Sequence, residues 1–139
     1  MHDKHLYEYA VIRYVPRVER EEFINVGLIM MCKRRRWLRV ELWIDERKMA
    51  VHDCELTCDE LAQQLSAFTL IGEGRREGGS IASLEAEERF RWLTAVKSAC
   101  VQTSRPHPGI TDNLDATFAR LMEELAVSYT HLRAHETVL

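Results

Sequence analysis

The chain has 139 residues, of which 46% are hydrophobic and 29% are charged, and its formal net charge is −3. Because a chain of this length buries about two thirds of its unfolded surface, we expect one globular domain that folds without disulfides or a metal ion. The near-neutral net charge argues against a protein that coats nucleic acid without sequence preference. The longest apolar run, residues 23–32, is half the ~20 residues of a membrane helix, and the polar start is unlike a secretory signal, so we expect a cytoplasmic protein without a membrane segment.

Three strand-like segments open the sequence and predict an antiparallel meander. Tyr7 to Val15 is rich in strand-forming residues and is closed by a proline. Phe23 to Cys32 is apolar on both faces, as in a central strand, apart from Asn25 and Gly27. Strict alternation there puts Ile24, Val26, Leu28 and Met30 on one side and Phe23, Ile29 and Met31 on the other. Trp37 to Ile44 alternates too, with Leu38, Val40, Leu42 and Ile44 opposite Trp37, Arg39, Glu41 and Trp43.

After Ile44 the apolar residues recur at helical spacing. Asp45 to His52 predicts a short helix, and Thr57 with Glu60 is a capping-box sequence for a helix that reaches about Ile71. A flexible loop is predicted at Gly72–Gly79, and a helix capped by Ser83 at Leu84–Ala95. A strand is predicted within Ser98–Thr103, followed by a turn or loop at Pro106–Gly109. The last predicted helix is capped by Thr111 or Asp112, and its inward residues are Leu114, Phe118, Leu121, Met122 and Leu125.

Antiparallel strands followed by helices indicate an α+β fold. We predict an antiparallel sheet of about four strands, the three-stranded N-terminal meander plus one later strand, with three to four helices packed mainly on one face. The predicted domain spans residues 1–127. Residues 128–139 (SYTHLRAHETVL) resemble the translated sequencing-adapter read-through found at the ends of assembled metagenomic reading frames, so we interpret them as a non-native tail.

Two patterns that suggest ligand chemistry have simpler interpretations. His52, Cys54 and Cys58 lack the second ligand pair of a structural zinc site, so we predict reduced thiols, no metal and no cofactor. The glycines of residues 72–79 follow a helix instead of a strand and lack the spacing of a phosphate-binding loop. That segment is therefore interpreted as a linker.

Lys33 to Arg36 is a dense basic run at the predicted hairpin tip between the second and third strands, where a solvated turn is the simplest interpretation. The outer face of the third strand adds aromatic and basic side chains, a combination with which some exposed sheets bind RNA bases. A nucleic-acid hypothesis therefore uses Lys33, Arg34, Arg35, Arg36, Trp37, Arg39 and Trp43. The alternative is that a helix or a partner chain covers this face and buries the tryptophans.

Polar residues in apolar surroundings are further site candidates. Arg13 and Asn25 need partners when buried, and they form one polar spot in the sheet if their faces coincide, although ordinary structural hydrogen bonding is the simpler role. His107 lies between two prolines and is rigidly presented, which suits ligand recognition as well as turn packing. A triad of His107 with Ser98 and Asp112 is disfavoured, because no strained strand-to-helix turn exposes the serine.

Four ordered motifs resemble the bacterial domain of unknown function 3037 family over about residues 5–127. They are YAVIRYVP at Tyr9–Pro16, EFINVG at Glu22–Gly27, ERFRWLT at Glu88–Thr94, and Ser98 followed by HPGIT at His107–Thr111. The resemblance implies a small stand-alone cytoplasmic protein without an assigned activity, often encoded beside a HipA-like kinase. The sequence departs from the family at Ala95-Val96-Lys97, where a Pro-Arg pair is expected, so no role is assigned to an arginine there.

These features leave three hypotheses for the function. The first, which we favour because the sequence lacks an evident catalytic constellation, is a non-enzymatic module that binds a partner protein through its sheet face or hairpin tip. The resemblance implies a HipA-like kinase as that partner. The second is nucleic-acid binding. The third is an enzyme or small-ligand binder, and it requires five side chains to converge on one pocket: Arg13, Asn25, Arg91, Ser98 and His107.

Overall fold

The computed structural model describes residues 3–16, 23–51, 56–95 and 100–125. Its strands are β1 (His5–Tyr14), β2 (Ile24–Cys32), β3 (Trp37–Leu42), β4 (Val101–Thr103) and β5 (His107–Thr111). Its helices are α1 (Glu46–Val51), α2 (Cys58–Gly72), α3 (Ala86–Ala95) and α4 (residues 114–125). The fold is the α+β class that the sequence predicts, with β1 to β3 as the N-terminal meander. The predicted tail, residues 128–139, lies outside the described residues.

The sheet has five strands, one more than predicted, and all described pairs are antiparallel. Its order is β3-β2-β1-β4, and β5 also pairs with β1. The long strand β1 contacts β5 through its first half, His5 to Tyr9, and β4 through its second half, Ile12 to Tyr14. Strands β4 and β5 therefore both pair with the edge of β1 that faces away from β2.

Each face of the sheet packs against helices and forms its own apolar core. On the face that we call the α2 face, Ala10 and Ile12 pack with Leu61, Leu65 and Phe90 of the helices. On the opposite face, the α4 face, the core members are Tyr7, Leu28, Met30, Cys32, Leu114, Phe118 and Leu121. Three helices thus cover one face and α4 covers the other, in line with α4's predicted inward residues. In the part of the chain that the structure describes, no helix is both long and apolar enough to cross a membrane.

A β-bulge in β2 breaks the alternation that the sequence predicts. Ile12 pairs with Gly27 while Arg13 pairs with Asn25, so Val26 is the inserted residue. Val26 consequently packs on the α2 face with Ile29 and Met31, and not with Leu28 and Met30 as expected. A Cβ on Gly27 would lie 2.7 Å from Leu42 Cδ2. The glycine therefore lets the neighbouring strand approach closely beside the bulge.

Residues 106–109 do not form the predicted turn, because His107 to Thr111 is strand β5. The prolines of this segment predict a turn, but proline is also tolerated in a strand that pairs along one side only. Gly109 lies opposite Tyr7, and a Cβ there would lie 2.9 Å from Tyr7 Cε1 and closer still to Cζ and the hydroxyl. The Tyr7 ring therefore occupies the space that a side chain at position 109 would need.

The capping box of α2 is confirmed, whereas the caps of α3 and α4 differ from prediction. The Glu60 backbone N–H donates to Thr57 Oγ1 at 3.1 Å, and the Thr57 N–H donates to Glu60 Oε1 at 3.2 Å. Helix α3 begins at Ala86, because Ser83 belongs to a preceding 3-10 turn in which its hydroxyl donates to a backbone carbonyl. Helix α4 is capped by Asn113, whose Oδ1 accepts from the Ala116 N–H at 3.0 Å.

The predicted glycine loop after α2 is anchored by an arginine from α3. Arg89 Nη1 donates to the carbonyl oxygens of Ile71 and Gly72 at 3.0 and 2.8 Å. These carbonyls belong to the last turn of α2, where the Ile71 oxygen also accepts from the Gly74 N–H at 3.1 Å. The segment that follows contains short 3-10 turns at Arg76–Gly78 and Ser80–Ser83. It is therefore more ordered than the flexible loop that the sequence predicts.

Candidate functional site

Polar side chains lie side by side across the α4 face, at the end of the sheet where β4 pairs with β1. Arg13 on β1 is opposite Gln102 of β4 and Asn25 of β2. Since directly paired residues present their side chains on the same face, these three form a row. Trp43 extends the row, because its backbone N–H donates to the Val26 carbonyl oxygen at 2.8 Å and its side chain packs on the α4 face. We call Gln102, Arg13, Asn25 and Trp43 the Arg13 row.

Three members of the Arg13 row carry polar atoms that are shielded from solvent and have no partner in the described structure. These atoms are Arg13 Nε, Asn25 Oδ1 and Trp43 Nε1. Buried side-chain donors and acceptors nearly always have a hydrogen-bond partner, so such a group needs an explanation. Three in one row indicate a place that is prepared for a polar group from outside the described residues.

Arg13 is held in place by an aromatic ring. Its guanidinium carbon lies 4.3 Å from the ring centroid of Phe23, which precedes β2 and is itself 41% exposed. Burial lowers the pKa of Arg13 below its ordinary value, but an arginine remains a cation at neutral pH. The ring stack fixes the plane of the guanidinium while leaving its edge open for hydrogen bonds.

The unpartnered atoms of the Arg13 row in the described structure are two N–H donors, one of them on a cation, and one carbonyl acceptor. A carboxylate matches the two donors, because its two oxygens accept from Arg13 Nε and Trp43 Nε1 and its charge compensates the guanidinium, whereas Asn25 Oδ1 needs a donor that a carboxylate lacks. The neighbouring Phe23 ring offers apolar contact to the rest of a bound group. The row is therefore suited to the recognition of an acidic group.

The other candidates of the enzyme hypothesis lie elsewhere. His107 is also on the α4 face, but it is paired with Tyr9, and their ring centroids are 5.1 Å apart. Tyr9 lies four residues before Arg13, which is about 13 Å along a strand.

Arg91 is on α3, on the α2 face, where its two terminal guanidinium nitrogens donate to the Glu8 carboxylate. These hydrogen bonds raise the pKa of Arg91. Ser98 lies outside the described residues. Of the five side chains, the structure brings together Arg13 and Asn25.

The basic hairpin tip divides into two pairs. Lys33 Nζ lies 3.5 Å from Glu87 Oε1, and Arg36 Nε lies 3.7 Å from Glu85 Oε2, so these two cations attach the tip to the N-terminal region of α3. Arg34 and Arg35 are exposed, and neither has an acidic partner among the described residues.

Helix α4 covers much of the surface that the nucleic-acid hypothesis uses for base stacking. Trp37 packs edge-on against Phe118 at a centroid distance of 6.2 Å. Arg39 stacks over the same ring at 4.6 Å and bonds Asp115 at 3.3 Å. Trp43 packs against the core of this face. Trp37 and Trp43 are therefore engaged with the fold itself, which is the alternative that the sequence left open.

The described cysteines, Cys32, Cys58 and Cys100, form no disulfide with one another. Over the described ranges, no three His, Cys, Asp or Glu side chains come close enough to hold a metal ion. His52 and Cys54, the other members of the zinc pattern weighed from the sequence, lie outside the described residues.

Sequence reasoning identified Arg13 and Asn25 but missed the contributions of Gln102 and Phe23. Gln102 joins the row through the register of β4 on β1, which no local pattern encodes. Phe23 carried a usable signal, because a large aromatic residue at the start of a strand is available for contacts beyond that strand's core.

Comparison with known proteins identifies a family. No curated protein and no solved structure matches the chain. The family model described as "Protein of unknown function (DUF3037)" matches residues 9–126, a range that includes every member of the Arg13 row. Because this range is most of the chain, the protein belongs to the DUF3037 family.

Proposed function

We propose that this protein is a non-enzymatic binding module of the cytoplasm, whose partner protein inserts an acidic side chain at the Arg13 row. The observation that carries the proposal is the set of three shielded atoms on one face that have no partner among the described residues: Arg13 Nε, Asn25 Oδ1 and Trp43 Nε1. A carboxylate from a partner satisfies the two donors and compensates the charge of Arg13.

The chemistry of the Arg13 row favours binding over catalysis. General acid–base catalysis uses a group whose pKa lies near the working pH, and arginine, asparagine, glutamine and tryptophan have none. The nearest such candidate that the sequence nominated and the structure describes is His107, which stacks on Tyr9 further along β1. The described row is therefore built to hold a group in place.

A protein partner fits the surroundings of the row. Phe23 is partly exposed beside the half-buried Arg13, and interface residues that contribute strongly to affinity are enriched in aromatic side chains and arginine. For nucleic acid, the tryptophan stacking surface is reduced, because Trp37 packs on Phe118. The resemblance of the sequence motifs to their family makes a HipA-like kinase the first partner to test.

The proposal is tested by co-expressing the protein with a HipA-like kinase, the partner that the family resemblance implies, and by measuring how much kinase co-purifies. Arg13→Met removes the guanidinium from the row. Arg91→Met is the matched control, since it removes an arginine from the opposite face. We expect the wild type and Arg91→Met to retain the kinase and Arg13→Met to lose it. Equal retention by all three proteins, or no association of the wild type, would contradict the proposal.

A further inference from the structure

A second charged site lies at the hairpin tip, far from the Arg13 row. Between His5 and Arg13, β1 runs eight residues, or about 26 Å. At the tip, Asp3, Lys4, His5, Arg34 and Arg35 line a cavity of about 320 Å³. The residues that form this tip cavity come from two separate segments, the start of β1 and the β2–β3 turn.

The cations of the hairpin tip divide between α3 and the tip cavity. Lys33 and Arg36 pair with Glu87 and Glu85, and the positive φ of Arg36, 51°, closes the turn between them. Arg34 and Arg35, at the centre of the turn, line the tip cavity together with Lys4 instead. The compensated and uncompensated cations of the tip are therefore spatially separate.

The tip cavity is strongly cationic for a chain whose net charge is −3. Lys4, Arg34 and Arg35 contribute three positive charges, against one carboxylate from Asp3. His5 Nδ1 is shielded from solvent and has no partner within the described structure. Arginine side chains bind phosphate oxygens with paired N–H donors, and lysine adds a point charge.

We propose that the tip cavity binds a small ligand through a phosphate or pyrophosphate group. Its volume is near the lower end of the roughly 300–1,000 Å³ of small-molecule sites, and its charged lining suits a compact anion better than an apolar ligand. The proposal is independent of the Arg13 row, because the two sites share no residue.

Isothermal titration with inorganic pyrophosphate tests this proposal on the full chain. Arg34→Gln/Arg35→Gln removes the cations that line the tip cavity. Lys33→Gln/Arg36→Gln is the matched control, which removes two positive charges from the same turn but outside the cavity. Because the first variant loses the charged donors to the phosphate oxygens, we expect it to bind at least roughly tenfold more weakly and the control to stay within about twofold of wild type.

A conservative variant separates geometry from charge. Arg34→Lys/Arg35→Lys keeps both charges but loses the paired N–H donors, so its affinity should lie between the wild type and the glutamine variant. Equal weakening in the two glutamine variants would overturn the proposal in favour of diffuse electrostatics. So would a wild type that binds no pyrophosphate at millimolar concentration. Binding of a single-stranded oligonucleotide that pyrophosphate does not displace would assign the tip to nucleic acid and overturn it as well.

Discussion

Arg13 and Asn25 stand opposite each other on β1 and β2 immediately beyond the bulge at Val26, and each carries a shielded polar atom that has no partner in the described part of the chain. The bulge causes this pairing, because the one inserted residue shifts the register of β2 and places the Asn25 side chain on the same face of the sheet as that of Arg13. A local irregularity in one strand thereby assembles the row to which we assign binding.

If Arg13 serves binding, its replacement should not destabilise the fold. A buried donor without a partner costs about 1–3 kcal/mol, whereas the stack on Phe23 returns only about 0.5–1 kcal/mol. We therefore expect Arg13→Met to keep or raise the free energy of unfolding, measured by urea denaturation. A loss of more than about 1 kcal/mol would show that Arg13 has a structural partner.

Arg89 should contribute measurably to stability. Its Nη1 donates to two carbonyls in the last turn of α2. Hydrogen bonds to charged groups contribute about 1.5–3 kcal/mol, so Arg89→Ala should lower the free energy of unfolding by about that amount. Arg120→Ala, which breaks an exposed pair with Glu124, is the control and should stay within about 0.5 kcal/mol of wild type. Equal effects of the two variants would refute the anchoring role.

A side chain at position 109 should be poorly tolerated. Any Cβ there meets the Tyr7 ring, and overpacking typically costs about 1–3 kcal/mol, so we expect Gly109→Ala to lower the melting temperature clearly. Tyr7→Leu should reduce the penalty of Gly109→Ala in a double-mutant cycle, because the smaller side chain frees the space. Additive effects of the two substitutions would mean that the ring does not occupy it.

The capping box gives a prediction that is confined to α2. Thr57→Ala removes the hydroxyl that accepts from the Glu60 N–H and should cost about 1 kcal/mol, whereas Thr57→Ser should retain most of the stability. Gln64→Ala, an exposed substitution within the same helix, should change the unfolding free energy by less than about 0.5 kcal/mol. The three variants can be compared by thermal denaturation followed by circular dichroism.

Most of the fold could be predicted because the relevant signals are local. The meander, the capping box at Thr57 and the inward stripe of α4 depend on residues that are neighbours in sequence. Strand β5 was missed because Pro108 and Gly109 favour turns, and only the pairing with β1 makes them a strand. The face of Val26 was predicted wrongly because alternation assumes an unbroken ladder, and one bulge residue reverses it.

The site was predictable only in part. Arg13 and Asn25 attract attention as polar residues in apolar strands, but their adjacency depends on a register that the sequence does not display. Gln102 reaches the row from a strand about ninety residues away in the chain. The role of Arg91 could not be read either, because its partner Glu8 is just as remote in sequence.

The most direct test of the central claim is the NMR signal of the Trp43 indole N–H in ¹⁵N-labelled protein titrated with N-acetyl-glutamate amide. Trp92, half-exposed on α3, is the internal control. The account predicts a downfield shift of the Trp43 resonance as its Nε1 gains an acceptor, little change at Trp92, and loss of the response in Arg13→Met. A Trp43 resonance that does not move, or moves equally in Arg13→Met, would contradict an acid-binding Arg13 row.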